Sequence, residues 1–353
     1  MIPERIQEQL LPWYEEHKRS LPWREDPTPY HVWISEIMLQ QTRVEAVKEY
    51  YRRFLTVLPT IRDLALCPED RLLKLWEGLG YYNRVRNMQK AARIIEEEYG
   101  GRIPRDYDRI LKLPGIGSYT AGAVSSIAYG MKKPAVDGNV LRVISRMTEN
   151  EGDILKQSVK RQVEQELEQI MPAEDPGAFN QGLMEIGATV CLPNGKPLCG
   201  VCPFQEFCQA HLHGRELEFP KKAPKKKRRI EERTVFLILS GNEYVIRKRD
   251  EGGLLGGMYE FPNTEGKMSP EEVQKKVEDK GLIPLYIKEA GKAKHIFSHI
   301  EWHMTGYLIK VAEPDEKTVK DLIFVSRKET KKDYAIPSAF STFRKYIEEE
   351  YKK

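Results

Sequence analysis

No stretch of the 353-residue chain approaches the ~18–20 consecutive apolar residues of a membrane span. Apolar residues make up 40% of the chain and charged residues 31%, a balance that suits water-exposed folds rather than lipid-embedded ones. The opening Met1–Gln9 is polar and lacks the basic-then-apolar order of a secretory leader, so a cytoplasmic protein without a membrane partner is expected. Net charge is only +4, too small by itself to establish a polyanionic partner. No internal repeat is visible, which excludes solenoids and propellers. Cysteine is scarce. Of five, Cys67 stands alone and four fall within the eighteen residues Cys191–Cys208. A disulfide framework is not expected in a reducing compartment.

What is present divides the chain in two. Residues 1–213 read as helical. Thr28-Pro29 is an N-cap and first-turn proline, and the following Tyr30–Gln41 places Trp33, Ile37 and Met38 on one stripe. Further helix-length segments are expected at Leu64–Trp76, Val85–Tyr99, Tyr119–Ala128 and Val159–Ile170. Residues 214–232 read as a linker, because they are charged, hold Pro220 and Pro224, and show no periodicity. Within them begins Lys221–Arg229, with seven basic residues and no acidic one, a solvated run or an electrostatic foot on phosphates. Residues 233–353 read as α+β. Strands are expected at Val235–Leu239, Tyr244–Arg249, Phe297–Trp302 and Tyr307–Val311, and Ser269-Pro270-Glu271-Glu272 is a capping box.

Three features carry chemistry. Cys191, Cys199, Cys202 and Cys208 are spaced C-x7-C-x2-C-x5-C, a density that suits one [4Fe–4S] cluster while leaving a structural zinc open. Leu113-Pro114-Gly115-Ile116-Gly117 lies between two helical segments, and two glycines at this spacing let backbone N–H groups hold a phosphate. The third is a pair of carboxylates. Glu36 is set in the strongly apolar Val32–Leu39, where a dry environment would raise its pKa and keep a proton to donate. Asp137 precedes the helical run Val140–Met147, where helix-end N–H groups favour the anion. An acid and an anion in opposed environments divide the work of glycoside hydrolysis.

The cysteine loop resembles that of the endonuclease III and MutY glycosylases, with one extra residue in the first gap (Leu192–Leu198). Together with the hairpin and the Val136-Asp137-Gly138-Asn139-Val140 motif, the resemblance covers almost all of residues 20–210. Trp23-Arg24, Glu36, Met38–Thr42 and Gly78-Leu79-Gly80-Tyr81-Tyr82 look like MutY in particular. This resemblance implies a multidomain protein: an all-α helix–hairpin–helix glycosylase domain with an iron–sulfur loop, followed by a C-terminal α+β Nudix-like domain. It also implies roles. Glu36 would protonate adenine N7 and Asp137 would stabilise or capture the sugar cation, with Tyr119 and Asn139 positioning Asp137 or the water. Arg24, Leu39, Gln41, Thr42 and Tyr81 would line the base pocket or wedge the stack, and Leu113, Gly115 and Gly117 would meet the DNA backbone. The four cysteines would hold a structural [4Fe–4S] cluster.

In the second half, Leu254–Pro262 resembles the entry to a Nudix fold, but Val273–Asp279 lacks the paired glutamates of a magnesium site. A reader rather than a hydrolase is expected. Phe297-Ser298-His299 matches the loop by which MutY C-terminal domains sense 8-oxoguanine. His295, His299 and His303, taken as one strand, would be ~13 Å apart per step and unable to share a metal. The expected partner is double-stranded DNA holding adenine opposite 8-oxoguanine, bound by a monomer. Three alternatives stay open: an endonuclease III-like lyase, which Tyr119 disfavours because a phenol cannot form an imine; a mismatch thymine glycosylase; and a non-catalytic DNA-structure binder. Lys112 and Lys132 leave room for weak adventitious lyase activity.

Overall fold

The computed structural model of the chain describes residues 2–224, 227–314, 318–319 and 321–351. Two lysines of the basic run, Lys225 and Lys226, lie outside the described residues. Two compact units emerge: Met1–Cys67 with Asn83–Pro224, and Pro68–Tyr82 with Lys225–Lys353. The second therefore includes a segment that no single linear boundary could assign to it.

The first unit is helical. Helix Pro29–Leu39 starts where Thr28 accepts from the His31 backbone N–H, and almost all of its residues are buried. Arg84 Nη1 reaches the other end, donating to the carbonyls of Ile37 (2.7 Å), Met38 (3.2 Å) and Gln40 (2.5 Å). These carbonyls would otherwise be orphaned at a helix terminus, and the cap holds the turn in which Gln41 takes φ 61°. Helices Gly138–Thr148 and Pro176–Thr189 pack together, with Val140, Ile144, Phe179, Leu183 and Ile186 in one buried cluster. The expected single segment Leu64–Trp76 is instead two helices, Ile61–Leu66 and Glu69–Leu75, broken at Pro68. Tyr119–Ala128 begins as the helix Ser118–Ala123 and continues as a π turn over Val124–Ala128.

The Pro68–Tyr82 segment belongs with the second unit through specific bonds. Lys74 Nζ donates to the carbonyls of Thr330 and Tyr334. Glu77 accepts from the Ile336 backbone N–H and pairs with Arg344. Asp70 pairs with Lys248 at 2.9 Å.

The rest of the second unit is a mixed sheet. Its strands are β1 (Arg229–Ser240), β2 (Glu243–Lys248), β3 (Tyr259–Glu260), β4 (Asn263–Glu265), β5 (Pro284–Ile296), β6 (Ile300–Val311), β7 (Thr318–Val319) and β8 (Leu322–Ser326). The order is β5-β6-β1-β2-β8-β7, with β3 beside β2 and β4 beside β1; β1 and β6 run parallel and the other pairs antiparallel. Helix Pro270–Glu278, opened by the Ser269–Glu272 capping box, buries Val273 and Val277 on Phe236, Ile238 and Ile309. Helix Ser341–Glu350 covers the other face, burying Phe343 and Ile347 with Val235, Leu237 and Trp302.

Two strand expectations need correction. β1 begins at Arg229, inside the stretch read as linker, because it pairs with β6 from Ile300 onward. Phe297–Trp302 is not one strand: Phe297-Ser298-His299 forms the turn between β5 and β6, closed by the Phe297 N–H donating to the Ile300 carbonyl at 2.8 Å. Hence His295 and His303 stand on facing strands with His299 in the turn, so the single-strand spacing argument does not apply to them.

Candidate active site

A cavity of about 570 Å³ opens in the helical unit, within the ~300–1,000 Å³ range of small-molecule sites. Glu36, Tyr119, Asp137, Asn139, Arg24, Leu39, Gln41 and Thr42 all line it. Eight residues separated by more than a hundred positions in sequence are thereby brought to one concavity. Tyr81 lies in the other unit, half exposed at φ 49°.

Glu36 is only 6% exposed, so it occupies the cavity wall rather than a polar helix face. Burial pushes its carboxyl up to about 7, the nearby Asp137 charge adds to the rise, and a hydrogen bond from the Tyr119 hydroxyl opposes it. Tyr119 thus serves Glu36, whereas the sequence suggested Asp137 or a water as its partner. Its own hydroxyl is held well above its ordinary range by burial and the Glu36 charge, so it remains a proton donor.

Asp137 caps the helix Gly138–Thr148 as expected. Its Oδ1 accepts from the backbone N–H groups of Asn139 (2.9 Å) and Val140 (2.8 Å), and its Oδ2 from Asn139 Nδ2 (2.8 Å). Burial holds this carboxyl above its ordinary range, and those three donors and the Arg142 charge oppose the rise without cancelling it. Three N–H donors aimed at two oxygens match a carboxylate, which only accepts. Asn139 is held in turn by Arg142, whose Nη2 donates to Asn139 Oδ1 (2.9 Å) and to the Gly187 carbonyl (2.7 Å), and whose Nε donates to the Cys191 carbonyl (2.8 Å). Gly187 has no side chain for a packing reason: a Cβ there would stand 2.5 Å from that of Asn139.

Sequence reading missed Glu185. It is 1% exposed and is the one polar residue of Gly182–Ala188, the same signal that singled out Glu36. Its carboxylate takes Arg19 Nε at 2.5 Å and Arg24 Nη2 at 2.7 Å, while Arg24 Nε donates to Gln181 Oε1 at 3.1 Å. Burial pushes Glu185 upward, but the two guanidinium groups outweigh it and hold the carboxyl below its ordinary value. Arg24 therefore enters the cavity wall with fixed orientation.

The hairpin Leu113–Gly117 joins helices Tyr107–Leu111 and Ser118–Ala123. Leu113 is buried and anchors the loop, so any contact it makes with a ligand is through its backbone. Gly115 takes φ 76°, where a Cβ would also meet Asn87 Cβ at 2.7 Å; Gly117 is extended.

Cys191, Cys199, Cys202 and Cys208 line one cavity together with Val143, Arg146, Met147, Ile186 and Phe204. Burial pushes the Cys199 thiol up to about 11 and the Cys202 thiol to about 12. Burial pushes the Cys208 thiol up as well, and four thiols lining one cavity, three of them disfavoured as free thiolates, fit a cationic metal group, which would deprotonate them. Arg146 Nη1 donates to Cys191 Sγ at 3.2 Å. Among the described residues, Cys199, His211 and Glu216 bring one donor atom each within 4.8 Å of one another, with Glu216 Oε1 engaged by His211 Nδ1 at 2.7 Å.

In the second unit, Ser298 and His299 are exposed at the β5–β6 turn. Phe297 is tucked inward, its ring 4.8 Å from Trp302 and 4.6 Å from His295. Tyr81 Oη lies 3.5 Å from Ser298 Oγ. Helix Pro270–Glu278 carries lysines at 275 and 276.

Comparison with known proteins first gives the class. Residues 34–172 match the HhH-GPD superfamily of base excision DNA repair proteins, and residues 234–346 match the NUDIX domain. The helical part is similar to a thermostable thymine-DNA glycosylase (31% identity, TM-score 0.52, 58% of this chain and 94% of that one) and to endonuclease III in a non-covalent DNA complex (26%, 0.52, 61% and 99%). Adenine DNA glycosylases match across both domains: that of Buchnera aphidicola (subsp. Schizaphis graminum) is 35% identical over 86% of this chain and 87% of its own length, and the Mus musculus enzyme 34% over 88% and 71%. The chain belongs to the adenine DNA glycosylase family. It is a DNA N-glycosylase of base excision repair, and among its described residues no helix is long and apolar enough to cross a membrane.

Proposed function

We propose that the protein excises adenine mispaired with 8-oxoguanine, and with guanine, by monofunctional hydrolysis. A single observation carries the chemistry: Glu36, raised to about 7 by burial, and Asp137, fitted with three N–H donors, line one cavity. The adenine leaves the duplex, because its N7 and glycosidic bond are inaccessible within the stack, and enters between Arg24, Leu39 and Gln41. Glu36 gives its proton to N7 as the C1′–N9 bond breaks, so the electron pair departs with a neutral base. The cationic sugar is held, or captured at C1′, by the Asp137 carboxylate, whose orientation Asn139 fixes. Water then adds to C1′ and releases a proton to Glu36, restoring the acid.

No lysine lines this cavity in the place of Tyr119, which supports hydrolysis without strand cleavage; Lys160, the one lysine of the lining, pairs with Glu164. The four cysteines would hold a [4Fe–4S] cluster that braces the loop following Thr189 and takes no part in bond breaking. Recognition of the oxidised partner is assigned to Ser298 and His299, supported by their exposure at the turn and by Tyr81 nearby. Leu113, Gly115 and Gly117 would hold a backbone phosphate of the DNA. The enzyme is expected to work as a cytoplasmic monomer. For truncation work the expected limits of 1–213, 214–232 and 233–353 need one change: Arg229–Glu232 stay with the second unit, because β1 begins at Arg229.

Glu36→Gln tests the acid. The variant should bind an adenine·8-oxoguanine duplex and release no base; appreciable single-turnover excision removes Glu36 from its role.

A further inference from the structure

The face of the sheet that carries Tyr307 and Ile309 is covered by helix Pro270–Glu278, but towards the β5–β6 turn the cover stops. There β5, β6 and β1 continue beyond the helix, and the loop before the helix supplies a wall, held to β1 where the Thr234 hydroxyl donates to the Gly266 carbonyl at 2.8 Å. The resulting groove, of about 470 Å³, is lined by Lys267, Lys292, Lys294, His303, Thr305 and Glu232. Lys292 stands opposite Thr305 and Lys294 opposite His303, so all four share this face.

Three properties identify a ligand class. First, the charge is positive and partly uncompensated. Lys294 pairs with Glu301 at 2.5 Å, and His303 lies 2.7 Å from Glu301 and 3.6 Å from Glu232. Among the described residues, however, neither Lys267 nor Lys292 has an ion-pair partner, and both are exposed. Second, Thr305 is 5% exposed and its hydroxyl has no hydrogen-bond partner among the described residues, although it lines the groove. Its oxygen is not among the buried unpaired ones, so it is open to the groove and can donate to an acceptor placed there. Third, the groove lies on β5 and β6, the two strands that the Phe297-Ser298-His299 turn joins. Lys294 and Lys292 are three and five residues from Phe297, about 10 and 17 Å along the strand, or roughly three to five base steps of duplex rise.

The geometry points to a second DNA contact: this groove holds backbone phosphates of the strand carrying the oxidised guanine, through Lys267, Lys292 and the Thr305 hydroxyl. These contacts carry no sequence information and set the register of the turn on that strand. The strand assignment rests on the proposed lesion-reading role of Ser298 and His299. The phosphate contact itself rests on the groove.

The test uses the full chain and an adenine·8-oxoguanine duplex, with affinity measured against salt concentration. Each phosphate contact adds about 0.9 to the slope of log affinity against log salt. Lys267→Gln/Lys292→Gln should lower that slope by about 1–2. A charge-matched control, Lys328→Gln/Lys345→Gln, alters exposed lysines on other elements of the same unit and should lower it by clearly less. Thr305→Val should weaken binding about threefold or more with the slope retained, as loss of one hydrogen bond requires. An unchanged slope in the groove variant, or an equal drop in the control, overturns the proposal. So does an isothermal titration in which a deoxynucleoside triphosphate or inorganic phosphate binds the groove while the DNA slope stays the same, since the ligand is then a free phosphate. Ser298→Ala/His299→Ala separates the two readings: if that variant keeps its partner preference while the groove variant loses slope, the lesion-reading role fails and the phosphate contact stands.

Discussion

The Tyr119 hydroxyl donates to Oε2 of Glu36 in a cavity wall where burial has already pushed that carboxyl up to about 7. The two effects oppose each other, since the phenol stabilises the carboxylate and desolvation stabilises the acid. The phenol therefore tunes an acid that burial creates.

Excision at saturating enzyme should fall as pH rises through about 7, because the working form of Glu36 is protonated. Tyr119→Phe removes the opposing hydrogen bond, so the alkaline limb of the pH–rate profile should move upward. A limb that stays in place or moves down contradicts the pairing.

The same shift bears on stability. Glu36 holds its proton more tightly folded (about 7) than at its ordinary value of 4.5, so its favourable contribution is complete below about pH 4.5 and is lost as pH rises through 7. Glu36→Gln should accordingly stabilise the protein at pH 8 by about 3 kcal/mol relative to its effect at pH 4. Chemical denaturation at the two pH values measures the difference.

How far the sequence led can be judged at particular residues. Glu36 was legible because a lone carboxylate in an apolar helix is conspicuous, and Asp137 because it precedes a helical run. Glu185 carried the same signal and was passed over, since its partners Arg19 and Arg24 lie more than 160 residues away. The bond from Tyr119 to Glu36 was hidden for a similar reason: helix Ser118–Ala123 meets helix Pro29–Leu39 only through tertiary packing. In the second unit β-propensity identified strands but not the turn at Phe297-Ser298-His299, because Phe297 is apolar and packs against Trp302 even inside the turn. The company kept by Pro68–Tyr82 had no local signal at all, being fixed by Asp70, Lys74 and Glu77 through partners far along the chain.

Gly187 supports the anion from behind. Gly187→Ala would drive a methyl group to 2.5 Å from Asn139 Cβ and displace the residue that orients Asp137. Single-turnover excision should drop by about tenfold to a hundredfold, with a stability loss of about 1–3 kcal/mol. Wild-type excision in a folded variant contradicts the role given to Asn139.

Removal of the metal group should be felt away from the chemistry. Cys202→Ser should lower iron content and visible absorbance, and destabilise the helical unit by several kcal/mol, because Phe204 and Ile186 share that cavity. Stoichiometric zinc in place of iron in the wild-type protein contradicts the [4Fe–4S] assignment.

Discrimination between partners should reside in the turn. Ser298→Ala/His299→Ala should reduce the preference for 8-oxoguanine over guanine, by about tenfold if two hydrogen bonds are lost, while excision opposite guanine is little altered. Equal losses on both duplexes contradict a reading role.

The central claim, adenine excision opposite an oxidised guanine, is tested most directly by single-turnover base release from four duplexes: adenine opposite 8-oxoguanine, adenine opposite guanine, thymine opposite guanine, and thymine glycol. Fast release of adenine opposite 8-oxoguanine, slower release opposite guanine, and no release of either thymine species is the expected result. Release of thymine or its glycol in preference to adenine contradicts the assignment.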